Sequence, residues 1–372
     1  VSVRLPAVSV ILAAYNHAPF VAQAIESVLT QEDIDLELLI ADDGSSDGTG
    51  DVISRICDPR ITYYPNEVNR GAGVVTNELI SSAKGKYVAL INSDDFWVQG
   101  KLKYQIDILE KHPDVGATFG RAHFIDRDGL EISRETMQFG TGEVFEQANR
   151  SAGRWLRRFF VEGNCLCHPT ILIRREVYDD LGLYNNSLRQ LPDLDMWIRL
   201  VKKYQIYVSD RKLINFRIMP GENTSSHTAE NHIRTLNEHY LIGETALDGV
   251  SRELLIEGFD DILVFKDIPT DKHLDIEKTL LYFHHNQWLS RPFKMLGLLK
   301  MHFLLESEPH RRVLANDYKI GDRWFQGEMG KVDVLVSPQV SPATVRYHLK
   351  GLMRAAKRRI LNLFNISSIQ GG

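Results

Sequence analysis

The chain has 372 residues, of which 25% are charged, and a formal net charge of −5. That balance gives no general basic surface for nucleic acid, and three cysteines (Cys57, Cys165 and Cys167) are too few for a disulfide framework, which suits a reducing compartment. No apolar run is long enough to span a bilayer; the best stretch, "MLGLLKMHFLL", is interrupted by Lys300 and His302.

The chain opens on "VSVRLPAVSVILAAYN", a basic residue followed by a short β-branched run that leads straight into a polar turn. We read it as a first buried strand rather than a cleaved leader, and expect a cytoplasmic protein. Pro19 then stands where a first helical turn tolerates proline, and "FVAQAIESVL" has apolar residues at helical spacing. "LELLIA" predicts a second strand ending in "DDGSSDGT", a turn that caps a helix through "DVISRI". "ITYY" predicts a short strand, "NRGAGVVTNELISSA" a glycine-rich turn into a helix, and "KYVALI" the next strand. Strands separated by single helices imply a mainly parallel sheet with helices on both faces. In such sheets ligands bind beyond the carboxyl ends of the strands. Tyr15-Asn16, Asp42-Asp43 and Asn92 to Asp95 all lie just past predicted strand ends, so three polar clusters converge on one edge.

From about residue 115 to 220 the alternation loosens into shorter strands ("VGATFGRAHFI", "TILIRR", "IYVS") and one clear helix, "LDMWIRLVKK". After "MPGENTSSHT" helical patterns dominate to about Asp317, with breaks expected near Gly249, Pro269, Pro292 and Pro309. We therefore expect units of 1–226, 227–332 and 333–372. Asp333 is the last acidic residue, and Ser341-Pro342 starts a segment with apolar residues at helical spacing and six Lys and Arg from Arg346 to Arg359. The helix predicted over 341–364 fits two descriptions: a basic amphipathic helix on an anionic membrane surface, or one docked on the protein with its charges in water.

Two acidic clusters near one sheet edge suit a hard divalent cation. Mg²⁺ or Mn²⁺ is often held by one or two carboxylates, with phosphate oxygens completing the shell. A metal-bound diphosphate is a good leaving group because the ion neutralises developing charge. Asp94 beside Asn92 is the candidate ligand; the alternative is an acidic turn that faces solvent.

The motifs "VSVILAAYNHAPFVAQAIESVLTQ", "LELLIADDGSSDGT", "NRGAGVVTNELISSAKGKYVALINSDD" and "LPDLDMWIRL" resemble, in order and spacing, those of family 2 glycosyltransferases with the GT-A fold. The resemblance covers roughly residues 7 to 225. It implies an α/β fold, a Rossmann-like, mainly parallel sheet flanked by helices, with an additional mainly helical C-terminal region. It implies an inverting transfer from a nucleoside-diphosphate sugar, UDP- or dTDP-linked, to a saccharide, and the basic tail suggests a lipid-linked saccharide acceptor at the membrane in surface-polysaccharide assembly, O-antigen or capsule. Tyr15 and Asn16 would then border the nucleobase, Asp42 and Asp43 accept hydrogen bonds from base and ribose, and Arg70 and Gly71 approach the diphosphate. Asp94 would be the main ligand of Mg²⁺ or Mn²⁺. The family's first metal-motif carboxylate is replaced by Asn92, and Asp95 orients the sugar or braces the loop.

Asp193 matches the family's general base, which takes a proton from the acceptor hydroxyl, although Pro192 replaces the usual preceding acid. The other reading of Asp193 is a helix N-terminal carboxylate stabilised by the macrodipole. His168 and Trp197 fall on the acceptor side. In "INFRIMPGENTSS", Met219 stands where the family often has histidine, and His227 is a substitute. The departures at Asn92, Pro192 and Met219 motivate a second reading: a catalytically eroded nucleotide-sugar-binding or scaffolding relative. A nucleotidyltransferase would need a glycine-rich, lysine-bearing phosphate loop near the start, and none is seen. Partners are therefore a nucleotide sugar and a saccharide or lipid-linked acceptor, with no nucleic acid; an oligomer stays open, as does peripheral attachment to the inner face of the cell membrane. Cys165-x-Cys167-His168 lacks a second ligand pair for zinc, His284 and His285 diverge on a helix, and Gly71-x-Gly73 lacks the third glycine of a dinucleotide fingerprint.

Overall fold

A computed structural model describes residues 5–133, 144–219, 221, 228–285 and 288–334. In its first part, β1 (Val8–Ala14), α1 (Val21–Leu29), β2 (Leu36–Asp42), α2 (Thr49–Ser54), β3 (Ile61–Pro65), α3 (Ala72–Ser82) and β4 (Tyr87–Asn92) alternate as expected. Strands β1 to β4 pair in parallel, in the spatial order β3-β2-β1-β4. Their continuous apolar runs follow from burial on both faces. Val8, Val10 and Leu12 enter one core cluster with Leu36, Leu38, Ile40 and the buried side of α1. Ile11 turns the other way, with Leu39 and Ala41, into a second cluster with α3.

The sheet continues through β5 (Phe96–Trp97), α4 (Lys101–Lys111), β6 (Val115–Ile125), α5 (Ala152–Glu162), β7 (Leu172–Arg174), α6 (Arg175–Leu181), α7 (Pro192–Val201) and β8 (Gln205–Arg217). It closes in the order β4-β7-β6-β8-β5. The β6–β8 pair is parallel, whereas β7 runs antiparallel to β4 and β6, and β5 antiparallel to β8. The sheet is thus mixed, with its parallel half carrying the sequence's clearest signals. The sequence reading found one helix between 115 and 220; α5 and α6 are present as well. In α5, Trp155, Leu156, Phe159 and Phe160 form a buried stripe, while Arg154, Arg157 and Arg158 dilute its apolar appearance.

Beyond β8 come α8 (Ala229–Thr245), α9 (Arg252–Phe259), α10 (Asp271–Leu281), α11 (Ser290–Glu306), α12 (Glu308–Val313) and α13 (Asp322–Met329). Thr228, Ser251 and Thr270 cap α8, α9 and α10, each accepting a backbone N–H three residues on. Helices break near Gly249, Pro269, Pro292 and Pro309, as expected, and Pro292 and Pro309 open the helices that follow. Each sits in a first turn, where the missing N–H has no intrahelical partner to lose. Ile242, Leu255, Phe259, Tyr282 and Phe293 join the same core cluster as Ile11 and Phe119 of the sheet. The helices therefore share a core with the sheet. No described helix is long and apolar enough to cross a membrane. The segment 341–364 and His227 lie outside the described residues.

Candidate active site

Strand register brings the three polar clusters together: Ala14 is level with Asp42, and Ala13 with Asn92. The backbone N–H of Asp43 donates to the Ala14 carbonyl at 2.8 Å, locking the two strand ends. Past β1, Tyr15 is 46% exposed, a free aromatic face at the sheet edge. Asn16 adopts a left-handed φ of 54°. Its Oδ1 accepts the Ser46 N–H at 2.9 Å while its own N–H donates to Ser45 Oγ at 2.8 Å. The Asn16 side chain thus staples the "DDGSSDGT" loop to β1.

Asp42 and Asp43 are both buried but do different work. Asp42 Oδ1 accepts the Ser45 N–H at 3.1 Å, turning its own loop. Asp43 reaches across: Oδ1 accepts the Arg70 N–H at 2.9 Å and Oδ2 the Gly71 N–H at 2.8 Å. Gly71, at φ 93°, permits the turn that presents both N–H groups to one carboxylate. The Arg70 guanidinium pairs with Glu78 on α3. The sequence reading sends both side chains to the donor; here Asp43 holds the loop and Arg70 lies along the helix.

At the tip of β4, Asn92 Nδ2 donates to Asp95 Oδ2 at 2.8 Å, and Asp95 Oδ1 accepts the Arg217 N–H at 2.7 Å. Arg217 Nε donates to the Asp94 carbonyl at 2.9 Å, and its guanidinium lies 4.6 Å over the Phe20 ring. Asp95 is therefore the brace of the turn. Asp94 is buried, and its carboxyl is raised by that burial, partly offset by the charges of His17 and Arg217. Burial and the neighbouring Asp94 push Asp95 up further. Ser93 Oγ and His17 Nδ1 share a hydrogen bond of 2.7 Å, which fixes the imidazole beside the tip.

Asp193 stands at the start of α7, half-buried. Asn164 Nδ2 donates to its Oδ2, and the Leu194 N–H donates to its Oδ1 at 2.8 Å. Desolvation outweighs these bonds and pushes the carboxyl up to about 6, a value suited to a general base near neutral pH. Burial raises the Cys167 thiol, and Asp95, Lys101 and Asp193 all act on it. Asp195 pairs with Arg199 at 2.8 Å on the far side of the turn.

His168 Nε2 and the Tyr184 hydroxyl share a 2.9 Å hydrogen bond, and burial holds the imidazole down at about 4. Trp197 is fully buried, edge-on to Phe119 at 4.8 Å and to His168 at 5.5 Å. An acceptor-side contact by Trp197 is corrected accordingly: its ring fills the core beneath His168. Sequence reasoning assigned no role to His17 or Asn164. "YNH" in the first turn was a signal for His17, whereas nothing local singles out Asn164.

For a metal, Asp94 supplies one hard oxygen ligand, while the Asn92 amide is turned toward Asp95. Among the described residues no group of three or more His, Cys, Asp and Glu side chains could hold an ion. This donor set fits Mg²⁺ or Mn²⁺ bound chiefly through a substrate's phosphates, not a cage made by protein alone.

The glycosyl transferase family 2 model matches residues 9–182. The putative teichuronic acid biosynthesis glycosyltransferase TuaG of Bacillus subtilis is 29% identical over 224 residues, 59% of this chain and 82% of that protein. A UDP-Glc:α-D-GlcNAc-diphosphoundecaprenol β-1,3-glucosyltransferase of Escherichia coli is 41% identical over 103 residues, which is 28% of this chain and 41% of that protein. Residues 1–349 of S. aureus TarS, in complex with UDP-GlcNAc, superpose with a TM-score of 0.51 at 16% identity, covering 80% of this chain and 91% of that one. At that identity the likeness speaks to the fold, and the fold is GT-A.

Proposed function

The chain belongs to glycosyl transferase family 2 and is thereby a transferase, and from that premise we propose that it moves a sugar from a UDP- or dTDP-sugar to a hydroxyl of a saccharide or lipid-linked saccharide, with inversion. The observation that carries the reading is Asp193: a carboxylate at the start of α7, oriented by Asn164 and raised by burial to about 6. It takes the proton of the acceptor hydroxyl as that oxygen attacks the anomeric carbon. Tyr15 stacks on the nucleobase, and the loops of Asn16, Asp42, Asp43, Arg70, Gly71 and Asn92 line the donor. Asp95 keeps the tip in shape, and Asp94 holds Mg²⁺ or Mn²⁺, which neutralises charge on the leaving diphosphate when bound. His168 borders the acceptor. The printed activity of the E. coli relative supports a uridine donor and an acceptor carried on a lipid diphosphate.

The test is nucleoside-diphosphate release from a panel of nucleotide sugars with Mn²⁺, with and without saccharide acceptors. Release by the wild type, lost in Asp193→Asn while nucleotide affinity stays, is the expected result. A protein that binds donors but releases no diphosphate from any of them is the eroded, binding-only relative instead.

A further inference from the structure

Asp193 follows a loop with three consecutive backbone donors and then a proline. Arg189, Gln190 and Leu191 have N–H groups that α7 cannot use, and Pro192 at its first turn has none. All three are taken by one side chain. Glu238 Oε1 accepts the Arg189 N–H at 2.9 Å, and Oε2 accepts those of Gln190 and Leu191, both at 2.8 Å. Successive N–H groups that point inward make an anion-binding nest, and here a buried carboxylate from α8, 4% exposed, fills it. Glu238 lies beyond residue 182, where the family match ends.

The next residue on α8 meets the segment that carries Asn164. His239 Nδ1 bonds the Thr235 carbonyl at 2.8 Å, so the ring is fixed on its own helix. A Cβ placed on Gly163 would stand 2.8 Å from His239 Nε2, so the imidazole rests directly against that backbone. Gly163, at φ 85°, immediately precedes Asn164, the donor to Asp193. Two adjacent residues of one helix therefore support both chain segments that build the Asn164–Asp193 pair.

We propose that Glu238 is a positioning residue for the general base, fixing the approach to α7 through the three N–H groups that precede it; this rests on the reading of Asp193 given above. Among the described residues, the titratable groups that interact with Asp193 are Glu238 from α8, Tyr184 from the segment before α7 and Cys167 from the segment after α5. Tyr184 and Cys167 are held protonated by burial. Glu238 is the carboxylate among the three; burial does most to raise the Asp193 carboxyl, and Glu238 adds a smaller push in the same direction.

The experiment compares full-length wild type, Asp193→Asn, Glu238→Gln and Glu238→Asp by kcat against pH, UDP affinity and thermal unfolding. Glu238→Gln keeps the volume but loses one acceptor and the charge. We expect kcat to fall roughly ten- to a hundredfold, as for a slightly misplaced catalytic group. UDP affinity should stay, and the acid limb should move to lower pH because a neighbouring negative charge is gone. Glu238→Asp keeps the charge but shortens the reach, so kcat falls with the limb in place. Wild-type kcat and an unmoved limb in Glu238→Gln overturn the inference; if that variant does not fold, wild-type kcat in Glu238→Asp overturns it. Activity retained in Asp193→Asn is a different result, which sinks the base assignment itself.

Discussion

Asn92 Nδ2 donates to Asp95 Oδ2 at 2.8 Å, so the amide at the end of β4 answers a buried carboxylate three residues past the strand. A carboxylate at 92 would face Asp95 without a proton to donate and add a third acid beside Asp94. We predict that Asn92→Asp destabilises the donor-free protein by about 1.5–3 kcal/mol, the range for a hydrogen bond to a charged group. Mn²⁺ should restore part of that loss, since the new acid is a hard ligand. Urea unfolding with and without Mn²⁺ measures both; unchanged stability of the metal-free variant contradicts the account.

Asp193 sets the pH dependence. Its folded value of about 6 lies above the ordinary 3.8, so the folded state binds the extra proton and stability falls as pH rises between the two. A base must be deprotonated, so kcat/KM should fall about tenfold per unit below pH ~6. The Asn164 hydrogen bond favours the charged form and lowers this carboxyl. Asn164→Ala should therefore move the acid limb upward, opposite in sign to removal of the Glu238 charge. A limb that stays in place would mean that Asn164 does not bear on the base.

The parallel half of the fold was legible because strands buried on both faces appear as unbroken apolar runs, as in "VALI" of β4. The convergence of Asp42, Asn92 and Tyr15 was legible for the same reason, since parallel strands end together. The supports of the site were not. Glu238 sits in "LNEHY", where a buried acid and a solvated one look alike, and its donors lie 47 to 49 residues back. Asn164 meets Asp193 across 29 residues, and only the folded chain shows the pair. Trp197 could be placed on α7 by sequence, but which neighbours enclose its ring depends on β6 and the 168–170 turn.

Asp43 offers a sharper test of the donor loop than Arg70. Its two oxygens take the N–H groups of Arg70 and Gly71 from a position 2% exposed. Asp43→Ala strands both donors, and bonds to a charged acceptor contribute roughly 1.5–3 kcal/mol each. We expect a loss of about 2–4 kcal/mol in denaturant unfolding, allowing for partial rehydration of the loop, together with a fall in UDP affinity. Arg70→Ala removes an exposed pair with Glu78 and a long, exposed hydrogen bond to Asn66, and should leave stability within about 0.5 kcal/mol. Equal effects of the two substitutions would refute the bracing role of Asp43.

The grip on a metal follows from how few ligands the chain itself presents. Asp94 offers one carboxylate, whose charged form is disfavoured by burial. His17, tied to Ser93 at 2.7 Å, and Arg217, whose Nε holds the Asp94 carbonyl, place cationic groups beside that carboxylate. Both weaken its hold on a lone divalent ion, and the Asn92 amide contributes no charge. A diphosphate reverses this, because its oxygens bring negative charge and complete the shell. Mn²⁺ titrated calorimetrically into the donor-free protein should therefore bind weakly, and at least tenfold more tightly with UDP present, a coupling of about 1.4 kcal/mol. By reciprocity UDP affinity should rise by the same factor with Mn²⁺. Ser93→Ala releases the His17 ring from the tip and should change the metal-dependent part of UDP binding while leaving the metal-free part alone. Tight Mn²⁺ binding without UDP, in wild type or in that variant, would show that the protein holds the ion by means other than Asp94.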